Sequence, residues 1–269
     1  MLRHVEQRGF HAIPLPITTR DGNTFVQCGG PLWELTPWLS GRADYFLLLK
    51  PEKLAAAMVA LAHWHLAASD FSRQPATKVT PPGVVARLRQ TDELLGGGWQ
   101  RLAAAVAASR NSAADVLPRL AEPILDRFPT LAPAVRSGLA ASAGLAVPLQ
   151  PCIRDIWHNH VLFDGDRVTG LVDFGSMRME TVAGDVARLL GSMVDHGGEA
   201  WRQGLAAYQT VRPLSPEELS LIDVLHSSGV LLSGMNWIQW LFVEGRRFDD
   251  MAAVAERLRW IAGQFEFTL

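Results

Sequence analysis

The apolar positions follow a helical period through most of the chain and a strand period in two short stretches. Leu54, Met58, Leu61 and His65 recur at spacings of four, three and four, which predicts one long helix from about Pro51 to Ser69. Ahead of it, Leu2 to Arg8 reads as the end of a helix closed by Gly9. Ile13 to Leu35 reads as a small antiparallel sheet, with turn signals at Arg20-Asp21-Gly22-Asn23 and Cys28-Gly29-Gly30. Thr36 to Gly41 leaves that sheet as an irregular connector. Beyond the long helix, further helical segments are expected around Val84 to Gln90, Trp99 to Ser109, Ala113 to Phe128 and Thr130 to Ala143.

At Leu149 the pattern changes. Val161-Leu162-Phe163 and Val168 to Phe174 are β-branched, apolar runs separated by Asp164-Gly165-Asp166-Arg167, and Asp-Gly favours a tight hairpin turn. Helical periodicity returns at Ala183 to Asp195, Glu199 to Tyr208, Pro216 to Trp240 and Asp249 to Glu266. Strands are thus expected at the start and in one central hairpin, and the fold class is α+β. Residues 1–40 form a partial N-terminal lobe with a hinge, and residues 41–269 a helical body carrying the hairpin.

Composition narrows the function classes. The chain has 269 residues, 48% of them hydrophobic, enough for a substantial core and too apolar for disorder. A formal charge of -2 gives no basic surface for a nucleic-acid partner. No apolar run approaches the roughly 18 residues of a membrane span, and the charged N-terminus does not read as a signal peptide, so a cytoplasmic protein without a membrane partner is expected. Cys28 and Cys152 lie far apart with no metal-binding spacing and are expected to be reduced and mostly buried.

The chemistry-bearing residues cluster at the hairpin. Asp155 precedes its first strand and Asp173 ends its second, and a tight hairpin brings those two ends together. Phosphoryl transfer needs such a pair: one carboxylate beside the accepting hydroxyl and one holding a divalent metal. The plainer alternative is a pair of turn carboxylates at strand ends. His160 is either a metal or phosphate contact or a ring hydrogen-bonded to the loop backbone, and Arg154 either supports the loop electrostatically or lies on the surface. Trp237, Trp240 and Glu244 share a helix face that would suit a cationic or sugar-like acceptor, with a Trp-rich core seam as the alternative.

Arg154-Asp155 followed by His160 repeats the spacing of the protein-kinase loop R-D-x-x-x-x-N, with His in place of Asn, and Asp173-Phe174-Gly175 is a D-F-G triplet. The stretch Ile153 to Phe163 followed by Val168 to Gly175 resembles the aminoglycoside phosphotransferase and choline kinase superfamily, which commonly reads H-G-D-x-H-x-x-N-I-L before its hairpin and I-D-F-G after it. Gly184-Asp185-Val186-Ala187 is similar to a compressed form of that family's later G-D-x-x-x-D-L-A signature. The resemblance extends from Gly9 to Trp260 and is specific only between Ile153 and Arg188.

The resemblance implies a protein-kinase-like two-lobe fold that transfers the γ-phosphoryl of ATP to a hydroxyl of a small molecule. Asp155 would orient or deprotonate that hydroxyl. Asp173 would bind Mg2+, with Mn2+ as an alternative, and His160 would stand at the second metal position. Asp185 would be a structural carboxylate. Glu34, Leu35 and Trp38 fall in the segment resembling the nucleotide hinge. In family members a phosphate-covering loop and a strand lysine precede the part resembling Leu2 to Phe10. No G-x-G-x-x-G occurs here, and neither Lys50 nor Lys53 falls on a suitable strand, so a truncated N-terminal lobe is expected. That leaves a competing function: a catalytically impaired, kinase-like binding or regulatory protein.

Overall fold

In the computed structural model, which describes residues 1–71, 78–110 and 116–267, the chain begins with the helix Leu2–Gln7 (α1). The strand-rich segment that follows is sparser than its composition predicts: Val26–Gln27 (β1) and Leu32–Trp33 (β2) pair antiparallel, with every residue exposed. Pro14, Pro16 and Pro31 lack amide donors and keep the flanking chain out of a longer ladder.

A 3-10 turn at Tyr45–Leu47 leads into Pro51–Ala68 (α2), which starts on a proline where a missing N–H costs nothing. Its alanines let neighbours come close, and Ala57, Met58, Leu61, Ala62 and Trp64 are all buried. Lys53 is buried too; its Nζ lies 2.5 Å from the Asp44 carboxylate and 5.0 Å from the centre of the Phe163 ring. A buried ammonium is tolerable only with such partners.

Contacts gather the chain into two compact units, Met1–Lys78 with Pro148–Glu218, and Val79–Val147 with Leu219–Leu269. The short strands Lys78–Val79 (β3) and Val147–Pro148 (β4) lie at the crossings. The second unit holds Pro82–Glu93 (α3), a π turn at Leu94–Gly98, Trp99–Ala108 (α4) and Val116–Ser142 (α5). Two separate helices were expected where α5 runs unbroken through Pro123, Pro129 and Pro133; positions 113–115 of the first lie outside the described residues. Its buried stripe, Ala121, Ile124, Leu125, Phe128, Leu131, Ala132, Val135 and Leu139, keeps its phase across Pro129. Burial of that stripe outweighs the amide bonds the prolines remove.

In the first unit Gln150–Cys152 (β5) precedes the expected hairpin, which is present as Val161–Asp164 (β6) and Arg167–Leu171 (β7) paired antiparallel, its second strand ending at Leu171 where Phe174 was expected. The sequence gives no sign of a second pair, β5 with Arg178–Glu180 (β8), because three residues containing a proline show no alternation. Val182–Met193 (α6) and Glu199–Gln209 (α7) complete this unit, and α7 meets α2 at Gly204. Pro216–Ile238 (α8), a π turn at Gln239–Val243 and Met251–Phe267 (α9) follow. Cys152 is buried as expected, but Cys28 is exposed in the β1–β2 turn. Among the described residues no helix is long and apolar enough to cross a membrane.

One contact fixes the connector to the hairpin. Arg42 and Phe163 exchange backbone hydrogen bonds of 2.9 and 2.8 Å. Gly41 precedes this bridge at φ 106°, and a Cβ there would lie 2.9 Å from the Phe163 carbonyl oxygen. Gly41→Ala is therefore expected to lower the unfolding free energy by about 2–4 kcal/mol in urea denaturation. Gly22→Ala, at φ 82° with nothing within 4 Å of the added carbon, should cost only about 1 kcal/mol.

Candidate active site

The loop between β5 and β6 and the loop after β7 carry the two non-glycine residues with left-handed backbone among the described residues, Arg154 at φ 68° and Asp173 at φ 65°. Such a conformation costs about 1–3 kcal/mol and persists only where neighbours impose it. For Arg154 the neighbour is Asp185. The Ile153 and Arg154 amides donate to its two carboxylate oxygens at 2.6 and 2.7 Å.

Asp185 is itself buried and supported from behind. The His65 Nε2–H donates to its carboxylate at 3.1 Å, and the Tyr208 hydroxyl donates to His65 Nδ1 at 2.7 Å. Gln150 on β5 donates to the His65 carbonyl at 2.7 Å. Burial pushes the His65 ring below its ordinary range, against the pull of Asp185, so the ring is neutral at neutral pH. Burial also raises the Tyr208 hydroxyl, which stays protonated. The Cys152 thiol is the third member of a buried group with His65 and Asp185, but it donates to the Glu180 carbonyl at 3.3 Å, so all three act in a hydrogen-bond network.

Helix α6 presents a single face to the loop. Asp185, Arg188 and Ser192 stand at i, i+3 and i+7, which lie above one another on a helix. Asp185 takes the amides of 153 and 154, the Arg188 guanidinium donates to the Asp155 carboxylate, and Ser192 Oγ accepts the His158 amide at 2.9 Å. The loop is closed at its far end by His160. Its Nδ1–H donates to the Asp155 carbonyl at 2.8 Å, and its Nε2 accepts the Trp157 indole N–H at 2.7 Å, since an indole can only donate. Burial lowers the His160 ring, in keeping with a neutral acceptor nitrogen. The Asp173 carboxylate approaches that Nε2 to 3.6 Å, too far for a hydrogen bond.

A loop carboxylate held by an α6 face, a hairpin, and a second carboxylate in D-F-G beyond it make up the core of a known family. The family model described as phosphotransferase enzyme family matches residues 1–220. The chain belongs to this family. The homoserine kinase of Rhizobium johnstonii is 29% identical over 238 residues, covering 86% of this chain and 64% of the kinase. That of Beijerinckia indica is 26% identical over 250 residues, covering 90% of this chain and 68% of the kinase. This chain thus spans about 64% of the length of the Rhizobium relative. An aminoglycoside phosphotransferase of Alicyclobacillus acidocaldarius superposes with a TM-score of 0.61 at 18% identity, covering 99% of this chain and 78% of that structure. A glucosamine kinase bound to glucosamine, ADP and phosphate gives 0.58 at 17%, covering 97% and 69%. The topology shared with these structures is the protein-kinase-like one, strand-rich at the start and helical after it.

Within this phosphotransferase fold, the residues predicted from sequence fall in three places. Asp155, Arg154, His160, Asp173 and Asp185 gather around the hairpin ends, linked by the contacts above. Glu34, Leu35 and Trp38 lie exposed just after β2 in the same unit; Trp38 is 98% exposed, and the Leu35 carbonyl accepts the Ile17 amide at 2.8 Å. Trp237, Trp240 and Glu244 belong to the second unit. There the Trp237 and Trp240 rings meet edge to face at 5.3 Å, Arg246 stacks on Trp240 at 5.0 Å, and its Nε donates to Glu244 at 2.7 Å. The carboxylate and one aromatic face thus already hold a cation from the same chain. Arg188, Ser192, His65 and Tyr208 are the site residues sequence reasoning misses. Arg188 leaves one trace, a charged residue three positions after Asp185 in an otherwise apolar helical stretch.

Two outcomes test this frame. Asp185→Ala removes the acceptor of three donors and should destabilise the protein by about 2–4 kcal/mol in urea denaturation. His65 and His160 are held neutral in the fold, and each takes up a proton near pH 6.5 once unfolded. The unfolded state therefore binds more protons below that pH, and stability present above about pH 6.5 is lost as the pH falls. The urea midpoint should be lower at pH 5.5 than at 7.5, with a weaker dependence in His65→Gln. Equal midpoints would contradict the neutral assignment.

Proposed function

We propose that the chain is a phosphotransferase that moves the γ-phosphoryl group of ATP to a hydroxyl of a small molecule. The observation that carries this is the pairing of Asp155 and Asp173 at the two ends of one hairpin, each in a loop of left-handed backbone and both bordering His160. In the transfer the acceptor oxygen bonds to the γ-phosphorus, the bond from that phosphorus to the β–γ bridging oxygen breaks, and ADP leaves. The hydroxyl proton passes to the Asp155 carboxylate.

Asp173 is 53% exposed and offers hard oxygen ligands, the kind Mg2+ or Mn2+ takes. Bound there, the metal would neutralise charge on the nucleotide phosphates. His160 does not fit a magnesium site: its Nε2 lone pair accepts the Trp157 indole, and Mg2+ disfavours imidazole. We assign His160 to the frame of the loop, where it ties the Asp155 carbonyl. The segment from Glu34 through Leu35 to Trp38 would meet the adenine, with the exposed Trp38 ring lying against the base.

The acceptor is proposed to be a hydroxy amino acid of the homoserine kind, supported by the run of homoserine kinases at 26–29% identity. A second reading, a kinase-like binding protein without turnover, draws support from the engagement of Asp155 by Arg188.

Coupled-assay kinetics with ATP, Mg2+ and L-homoserine separate the two. Asp155→Asn should lower kcat by about 10²–10⁴-fold with little change in the melting curve. Asp173→Ala should abolish metal-dependent nucleotide binding in calorimetry. A wild-type protein that binds ATP and transfers nothing to any alcohol would leave the binding-protein reading standing.

A further inference from the structure

Arg188 touches Asp155 in a way that the general reaction does not require. One terminal nitrogen of its guanidinium meets the Asp155 carboxylate, and both side chains remain reachable, at 36% and 44% exposure. Its Nε, by contrast, is buried and has no hydrogen-bond partner among the described residues. A buried donor left unmade costs about 1–3 kcal/mol. A guanidinium satisfies Nε and a terminal nitrogen together when a carboxylate docks against that edge, the bidentate geometry arginine favours. The ion pair with Asp155 uses one of these donors and leaves the other unmet.

Charge adds a second argument. Asp155 and Asp173 would both repel an anionic acceptor, so an acceptor carrying a carboxylate needs a cation beside the hydroxyl position. Arg188 is that cation, because it contacts the very carboxylate that would face the hydroxyl. The Asp185 and Ser192 contacts hold α6 against the loop on either side, so the guanidinium is delivered from a rigid element while its tip stays half-exposed.

We infer that Arg188 is the acceptor-recognition residue of this site and that it selects alcohols bearing a carboxylate near the hydroxyl. The inference rests on the phosphotransferase reading above and deepens it. On binding, the acceptor carboxylate exchanges with Asp155 on the guanidinium, taking the Nε edge. The Asp155 carboxylate is thereby released toward the hydroxyl. An alcohol without the carboxylate leaves Asp155 tied to Arg188, so discrimination appears in kcat as well as in KM.

The test compares L-homoserine with 3-aminopropan-1-ol, which keeps the hydroxyl and the ammonium and lacks the carboxylate. With ATP and Mg2+, the wild-type ratio of kcat/KM values is expected to favour L-homoserine by about 10- to 100-fold, the range of a charge-assisted contact. In Arg188→Ala that ratio should collapse to within about threefold. Arg188→Lys, which keeps a point charge and loses the fork, should fall between, and melting curves of both variants check that they fold. A ratio preserved in Arg188→Ala, or rates for both alcohols falling in parallel, would overturn the inference. If the wild type phosphorylates neither alcohol, the homoserine-type acceptor fails as a substrate, and calorimetry with the same two compounds still decides the role of Arg188. L-homoserine binding that is lost in Arg188→Ala sustains it, and absent or variant-independent binding overturns it.

Discussion

The Asp185 carboxylate is the contact on which the rest of this site depends. A buried anion is costly, and here it is compensated by two backbone amides and one imidazole N–H, all within 3.1 Å. In return it imposes the left-handed conformation of Arg154 that an unsupported loop would relax. That backbone turn sets the direction in which the next residue, Asp155, leaves the loop. An asparagine could accept only one of the two amides through its oxygen and would place an NH2 group against the other donor. The carboxylate is therefore chosen by donor count as much as by charge.

From this anchor the order of the site follows the helix. Because α6 repeats every 3.6 residues, Asp185, Arg188 and Ser192 meet successive parts of the loop, its entry, the Asp155 carboxylate and its exit. The β6–β7 hairpin supplies the other wall. Its pairing with Arg42 ties the connector to the same strands, and the Val172 amide donates to the His160 carbonyl at 3.0 Å, joining the two loops. Positions set by regular elements vary little, which is what a transfer reaction asks of the group that takes the proton.

Local features of this arrangement were legible in the sequence. Asp164-Gly165 makes a hairpin turn from adjacent residues, and D-F-G and the Asp155 loop flank it, so the hairpin and both carboxylates follow from a short window. His65 and Tyr208 did not, because their contacts reach across 120 and 143 positions, and a histidine in an alanine-rich helix carries no mark of its partner. Prolines at 123, 129 and 133 misled for the opposite reason: a local rule for ending helices was overridden by an apolar stripe whose partners lie in other helices. At Trp237, Trp240 and Glu244 the periodicity was real, but the π turn and Arg246 decide what that face meets, and neither is written in the spacing.

The two carboxylates differ in how they are held, and the difference bears on mechanism. Asp155 has its amide neighbours, its carbonyl and its side chain all bonded within the chain, to Asp185, His160 and Arg188. Asp173 is exposed, and the neutral His160 ring nitrogen 3.6 Å from its carboxylate already accepts another proton. In the proposed transfer a pre-set base needs such a frame, since a misdirected oxygen cannot take a proton in line with attack. A metal ligand does not, because the ion itself draws oxygen atoms into place when it arrives with the nucleotide. The family's asparagine could lend a second hard oxygen to that ion. The histidine at 160 instead spends its ring on the loop, so in the proposed transfer this chain would strengthen the frame around the Asp155 base and leave the metal to Asp173 and the phosphates.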